Sequence, residues 1–444
     1  MPKDYGSWSL ANLKIELRKR NAKLTGRKAV LVQRLRHKLK KTEKVDPKLA
    51  PDVMKYLETL PYYDNIKESI PKTLLRKYKT PESMYLIHKQ TATDIAETLK
   101  EHLNTGPPVV EVNPGFGFLT EELLKHRIEP LHLYEVSNNF SPFIMELQKK
   151  YPDKFSHKVA DFFGMWKLAF QDKIDNGNRI KELLGDLTTD DNDRILKIVG
   201  AMPGISFVRH LINTIIFHHS HNQLGRPDLY MAMPGDYFNF LTDQGMLNVK
   251  HKSLPAMFQL LFDTKVITKI PKTYYLPWMH PPDKKKASVI DEYCLYLVNI
   301  KQKQQLPCSS DHLPLLWYFF RPHMISKSTR IIPMLEQWIP GCGVWLITGQ
   351  DPAESRAARA PGPHDAPLPH INIFTEFGDL TLQQKLTVFK KFISWPEFDQ
   401  CPFRVTMENN LPKFISAIDL DEKETIAGTP IDDDMEASDV EQEH

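Results

Sequence analysis

The apolar positions of this chain change period several times, and each change marks an element. From Thr91 to Leu103 they recur at helical spacing, with Ile95, Leu99 and Leu103 on one face. At Val109-Val110-Glu111-Val112 they close up into a short β-branched run, as in a buried strand, which stops at a turn holding Gly115 and Gly117. Thr120 then precedes Glu121-Glu122-Leu123-Leu124-Lys125, which predicts a helix capped by the threonine hydroxyl. Residues 131 to 136 alternate as a strand ending in Glu135, and Val159-Ala160 ends another at Asp161. Residues 195 to 199 form an apolar strand that runs into the loop Gly200-Ala201-Met202-Pro203-Gly204, and residues 289 to 298 read as a late buried strand. Strand, loop and helix in this alternation predict a Rossmann-like α/β sheet.

Outside that block the pattern is of a different kind. Leu10, Leu13 and Leu17 recur behind Ser9, a turn follows around Gly26, and Leu31 and Leu35 begin a second stripe, which predicts two short amphipathic helices. The spacing of Leu13, Leu17, Gly26, Lys28, Leu31, Arg34 and Leu35 resembles the SAP motif, a small DNA-binding module, and implies that Lys28 and Arg34 touch DNA. A solvated basic hairpin and a mitochondrial targeting segment remain open as alternatives. Prolines 47, 51, 61, 71 and 81 interrupt any long helix from 46 to 83, so that stretch reads as a linker and lead-in. The α/β domain is expected over 84–305 and a small helical C-terminal domain over 306–418, with a flexible loop at 351–370.

Charge sharpens this division. The formal net charge is only +3, yet residues 1–44 hold 14 Lys or Arg against Asp4, Glu16 and Glu43. Residues 419–444 hold 11 Asp or Glu against Lys423, and by composition this tail is expected to be disordered. The four cysteines are widely spaced without a Cys-x-x-Cys pair, which indicates neither a zinc site nor a disulfide framework. The tract Phe217-His218-His219-Ser220-His221 lacks partners at ligand spacing and is read as a helix end, so no metal is expected. No apolar run reaches the length needed to span a bilayer, so no membrane insertion is expected.

The candidate chemistry lies at the strand ends. Gly115 and Gly117 let the backbone approach a ligand, and Glu111 is expected to reach over the crevice. Glu135 follows the loop at roughly the 20 residues where such sheets hold ribose hydroxyls. Asp161 is expected to bond an adenine amino group, with Phe162 against the ring. Three acids at successive strand ends imply an adenosine-containing ligand.

These segments, in this order, resemble the rRNA adenine dimethyltransferase family of S-adenosylmethionine enzymes from about residue 85 to 345. Glu111, Gly115, Gly117, Glu135 and Asp161 match the family pattern, whereas Asn113 stands where a glycine is usual. In the fourth loop Pro203 matches and Met202 is conservative, but Ala201 replaces an asparagine and Gly204 an aromatic residue. The resemblance implies a methyltransferase sheet in which Glu111, Asn113, Gly115, Gly117, Glu135 and Asp161 hold S-adenosyl-L-methionine. The departures, with Asp161-Phe162-Phe163 and Gly225-Arg226-Pro227 leading into Met231, are similar to those of the mitochondrial transcription factor B branch, whose second paralogue opens promoters. They imply a protein of the mitochondrial matrix and nucleoid that works with the mitochondrial RNA polymerase on promoter DNA.

Transfer of a methyl group to adenine N6 needs an acceptor that orients the amino group and a face on which the base stacks. Ala201 and Gly204 offer neither, so turnover is expected to be weak or lost, with Phe162 or Phe207 as substitute stacking faces. An active dimethyltransferase of mitochondrial small-subunit rRNA is the alternative, and a ribosome-assembly RNA binder a third reading. Arg209, His210, Lys284, Lys285 and Lys286 are the expected nucleic-acid contacts of the crevice.

Overall fold

The computed structural model describes residues 5, 8–19, 27–29, 31–32, 50–78, 80–217, 223–242, 253–279, 293–321, 327–348 and 367–411. The chain divides into two compact units, Met1–Asp64 and Asn65–His444. In the first, the helix Leu10–Lys19 begins behind Ser9, whose Oγ accepts the Asn12 N–H at 3.2 Å. Leu13 and Leu17 project from one side of that helix and are buried with Leu31, Val32 and Tyr5. Of the expected apolar stripes, Leu13, Leu17 and Leu31 form a small core, Leu10 is exposed and Leu35 lies outside the described residues, and the helix Pro51–Leu57 starts on the proline that its first turn tolerates.

The second unit is mixed α/β, built on a seven-stranded sheet. Its strands are β1 (Val109–Val112), β2 (Leu131–Glu135), β3 (Phe155–Val159), β4 (Ile195–Ala201), β5 (Arg226–Pro234), β6 (Phe262–Pro271) and β7 (Cys294–Gln302). They lie in the order β3-β2-β1-β4-β5-β7-β6. Neighbours from β3 to β5 are parallel, and β7 runs antiparallel to both β5 and β6. The order reverses between β1 and β4, so the crevice at their carboxyl ends is the switch point where such sheets bind ligands.

Both faces of the sheet are covered, which is why β1 is buried at every position. On one face Ile95, Leu99 and Leu103 of the helix Lys89–Leu103 pack with Val109, Val199 and Tyr230. On the other, Val110, Val112, Ile198 and Met231 meet the helices Ser206–Phe217, Gly235–Thr242 and Ser253–Leu261. The helices Leu313–Phe319, Ile331–Glu336 and Leu382–Ile393 extend that second core. Leu382–Ile393 is fixed at its start by a capping box, in which Thr381 and Gln384 each accept the other's backbone N–H.

Of the late strand expected over 289–298, residues 289–292 lie outside the described residues. β7 runs from Cys294, opposite Pro271 on β6, to Gln302, and pairs with β5 from Leu295 opposite Pro234 to Lys301 opposite Asp228. The segment from 172 to 193 contains the end of the helix Met165–Asp175 and the helix Arg179–Leu184. Asp172 ties the two, accepting the backbone N–H groups of Arg179 and Ile180 and the Arg179 guanidinium at 2.9 Å.

Candidate functional site

The turn after β1 is built from left-handed residues. Asn113, Gly115 and Gly117 have φ of 57°, 57° and 73°, and the Asn113 N–H donates to the Tyr134 carbonyl at 2.8 Å. Asparagine is among the few side chains that tolerate this region, which explains how it stands in a glycine position. A Cβ on Gly115 would come within 2.8 Å of Tyr85 Cδ1, and one on Gly117 within 2.4 Å of Leu147 Cδ1. Gly117, not Thr120, is the N-cap of the helix Phe118–Lys125. Thr120 lies inside the first turn, where its fully buried hydroxyl cannot act as the expected cap.

Glu135 closes β2 directly beside this turn and is 1% exposed. Its Oε2 accepts the Gly115 N–H at 3.0 Å. Its Oε1 accepts the Ser137 N–H at 2.7 Å and the Tyr85 hydroxyl at 3.2 Å. Burial pushes the Glu135 pKa above the usual carboxylate range, against the pull of these three donors. Tyr85 is 3% exposed, and its ring packs against Phe140 at a centroid distance of 4.6 Å. Burial first, and then the neighbouring Glu135 charge, raise the pKa of the Tyr85 phenol.

Glu111 is 2% exposed and lines a pocket at the carboxyl ends of β1 and β4, between Asn113 and Pro114 of the first turn, Gly200 and Ala201 of the fourth loop, and Ile95, Tyr230 and Tyr275. The empty volume there is about 380 Å³ including its open mouth. Glu111 Oε2 has no hydrogen-bond partner, and burial pushes the carboxyl up to about 8. The Thr120 hydroxyl lies close enough to offset part of that shift but outside hydrogen-bond geometry.

Asp161 stands at the mouth of the crevice, two residues beyond β3, with its side chain about half exposed. Oδ1 accepts the Gly164 N–H at 2.8 Å, and Lys167 Nζ lies 3.5 Å from Oδ2. The expected stacking faces are absent. Phe162 and Phe207 are fully buried, packed with Tyr134 and Phe163 in the core beneath the loop, because their side of the sheet faces the helices. In the fourth loop Ala201 and Met202 are also buried, and the Met202 N–H donates to the Ala232 carbonyl at 2.8 Å. A Cβ added at Gly204 would meet nothing within 4 Å. Beyond Pro203, Arg209 and His210 lie half-buried in the first turns of the helix Ser206–Phe217.

Lys28 is exposed in the first unit, while Arg34, Lys284, Lys285 and Lys286 lie outside the described residues, as does the tract from His218 to His221. Among the described residues no group of three His, Cys, Asp or Glu is placed to hold a metal, and no helix is long and apolar enough to cross a membrane. For an adenosyl ligand the fit is divided. Asp161 presents a partly open carboxylate for an adenine amino group, whereas Glu135 already spends three of about four acceptor positions on its own chain. Both hydroxyls of a ribose cannot bind there as the side chains stand. Sequence reasoning missed Tyr85, which lies at the start of the expected α/β domain, ahead of the helical stripe from Thr91, where no period or motif marks it.

Residues 74–347 match the family model for ribosomal RNA adenine dimethylase, and residues 4–40 match the SAP domain. The chain is 35% identical over 403 residues to the Drosophila melanogaster protein "Dimethyladenosine transferase 2, mitochondrial", covering 83% of this chain and 88% of that one. Among solved structures it is similar to the 23S rRNA methyltransferase ErmE, with 14% identity and a TM-score of 0.40 over 69% of this chain and 99% of that one. A dimethyladenosine transferase from Plasmodium falciparum gives 12% identity and a TM-score of 0.39 over 69% and 97%. The chain carries a SAP domain and, from residue 74 to 347, belongs to the ribosomal RNA adenine dimethylase family.

Proposed function

We propose that this protein is a mitochondrial transcription initiation factor, which melts promoter DNA with the mitochondrial RNA polymerase on a degenerate rRNA adenine dimethyltransferase scaffold. The fourth loop carries the argument. Ala201 has no side-chain acceptor and Gly204 no ring, and Phe162 and Phe207 are buried in the core. An extruded adenine would find neither a side chain in this loop that orients its amino nitrogen nor a ring there to stack on, so the near-attack geometry is lost. S-adenosyl-L-methionine binding is correspondingly weak and turnover small. A mitochondrial site of action is supported by the name of the Drosophila relative.

Holding a strand unpaired needs less than methyl transfer does. It must offset restacking of about 1.4 kcal/mol per base-pair step, which basic side chains such as Arg209 and a DNA-binding module can do without chemistry. The SAP domain supports contact with nucleic acid. The second reading, an active dimethyltransferase of mitochondrial small-subunit rRNA, is favoured by the intact Gly115, Gly117, Glu135 and Asp161. The test replaces Arg209, Lys284, Lys285 and Lys286 with alanine and measures initiation by the mitochondrial polymerase. Initiation should fall on linear promoter DNA and recover on a pre-melted bubble. Vigorous dimethylation of a hairpin rRNA by the unaltered chain would decide for the second reading.

A further inference from the structure

Glu135, the acid expected to hold a ribose, is covered by a side chain of the protein itself. Tyr85 reaches it from the segment ahead of the helix Lys89–Leu103, where Tyr85 and Leu86 pair with Leu276 and Tyr275. Its ring lies on the bare face of Gly115, so close that a Cβ there would be 2.8 Å from Cδ1. Its hydroxyl donates to Glu135 Oε1 at 3.2 Å, as a sugar hydroxyl would. Phe140 backs the ring, and Phe116 packs edge-on against Phe140 at 5.0 Å, so the tyrosine is held from behind. A phenol on the acid and an aromatic face on the glycine turn together occupy the two surfaces that a nucleoside needs.

We propose that Tyr85 is an internal occupant of the nucleoside crevice, and that an adenosyl ligand enters only by displacing its side chain. This rests on the reading that the crevice keeps a residual affinity for S-adenosylmethionine. Displacement is coupled to the chain around it. Residues 85 and 86 are paired to 275 and 276, and the Ile87 N–H donates to the Tyr274 carbonyl at 2.9 Å. Ligand entry therefore loosens a short two-stranded bridge as well as a side chain. The same device explains a family scaffold that keeps its acids and glycines while binding the cofactor weakly.

The test measures S-adenosylhomocysteine binding by calorimetry to the full chain and to Tyr85→Phe and Tyr85→Ala, with thermal melts to establish that each variant is folded. Tyr85→Phe frees one acceptor of Glu135 and should tighten binding about threefold, at the low end of the net worth of one hydrogen bond. Tyr85→Ala also uncovers Gly115 and should tighten it about tenfold or more. In the unaltered chain, saturating ligand should speed amide hydrogen exchange across residues 85–87, a readout that needs no variant. Equal affinity in all three folded proteins, or bound ligand with unchanged exchange at 85–87, overturns the proposal while leaving the cofactor reading intact. Failure of even Tyr85→Ala to bind overturns both, because the crevice is then not a nucleoside site.

Discussion

Lys197 and Asp228 stand directly opposite each other on β4 and β5, both buried, yet each spends its hydrogen bonds on other groups. The Lys197 ammonium donates to the Thr105 hydroxyl and, at 3.4 Å, to the Leu103 carbonyl, which ties the end of the helix Lys89–Leu103 to the sheet. Asp228 accepts from Asn299 at 2.6 Å and from the Tyr230 hydroxyl at 3.1 Å. Burial depresses the Lys197 pKa, and Asp228 restores part of it. Asp228→Ala strands a buried cation and two donors at once, and should cost about 3–5 kcal/mol in urea unfolding. Lys197→Met leaves Asp228 its two donors and should cost about 1–2 kcal/mol. The reverse order of the two would mean that the ammonium, not the carboxylate, organises this end of the sheet.

Much of the architecture was open to a sequence reader because it rests on local signals. The β-branched run at 109–112, the helical stripe of Ile95, Leu99 and Leu103, and the turn glycines each follow from a period or a steric need that neighbouring residues alone express. What could not be read depends on distant partners. β6 is a mixed, largely exposed run whose identity comes from its ladder with β7, more than 20 residues away. Tyr85 matters because of Glu135, 50 positions along the chain. The burial of Glu111, Phe162 and Phe207 depends on which face of the sheet each side chain meets, and that is settled only once helices cover both faces.

Glu111 makes stability pH-dependent in a definite direction. Its folded pKa of about 8 lies above the ordinary glutamate value of 4.5, so the folded chain holds this proton more tightly than the unfolded one. Its contribution is fully present below about pH 4.5 and is lost as pH rises toward 8, with a slope near 1.4 kcal/mol per pH unit at most. Glu111→Gln removes that titration without emptying the pocket. The variant should match the parent near pH 5 and exceed it clearly in denaturant midpoint at pH 8. Parallel pH profiles would show that the carboxyl is not held neutral by burial.

Asn113 offers a test of the first turn. Its φ of 57° means that Asn113→Gly keeps the backbone at ease, whereas Asn113→Ala forces an ordinary side chain into the left-handed region at about 1 kcal/mol. Asn113→Gly should therefore melt close to the parent and Asn113→Ala several degrees lower. Similar losses in both would assign the role to the asparagine amide and not to its conformation.

The fourth loop can be rebuilt to ask what limits chemistry. Gly204→Tyr enters open space and should leave the melting temperature nearly unchanged. Ala201→Asn adds a polar group at a buried position and should lower stability by about 1–3 kcal/mol unless its amide finds partners. The double variant should stay near background in methyl transfer to an adenine-bearing hairpin, because Tyr85 still holds Glu135. Adding Tyr85→Ala should raise transfer measurably. Full activity in the double variant would show that the loop alone had silenced the site.

The first unit joins charge to a fold, and the two can be separated. Residues 1–44 carry a net charge of +11, and the Leu13, Leu17 and Leu31 core gives part of that charge a fixed surface. Deleting these residues from the full chain should weaken duplex binding and flatten its salt dependence, since each phosphate that the arm neutralises contributes about −0.9 to the slope of log K against log salt. Leu17→Ala removes no charge but opens the core, and in so small a unit the loss of a fully buried leucine, about 2–5 kcal/mol, is enough to unfold it. If the folded surface reads the duplex, Leu17→Ala should lose most of the affinity that the deletion loses while keeping more of the salt slope, because the lysines and arginines remain as a flexible cloud. Equal affinity in Leu17→Ala and parent would reduce the unit to its charge. An unchanged slope on deletion would remove it from DNA binding altogether.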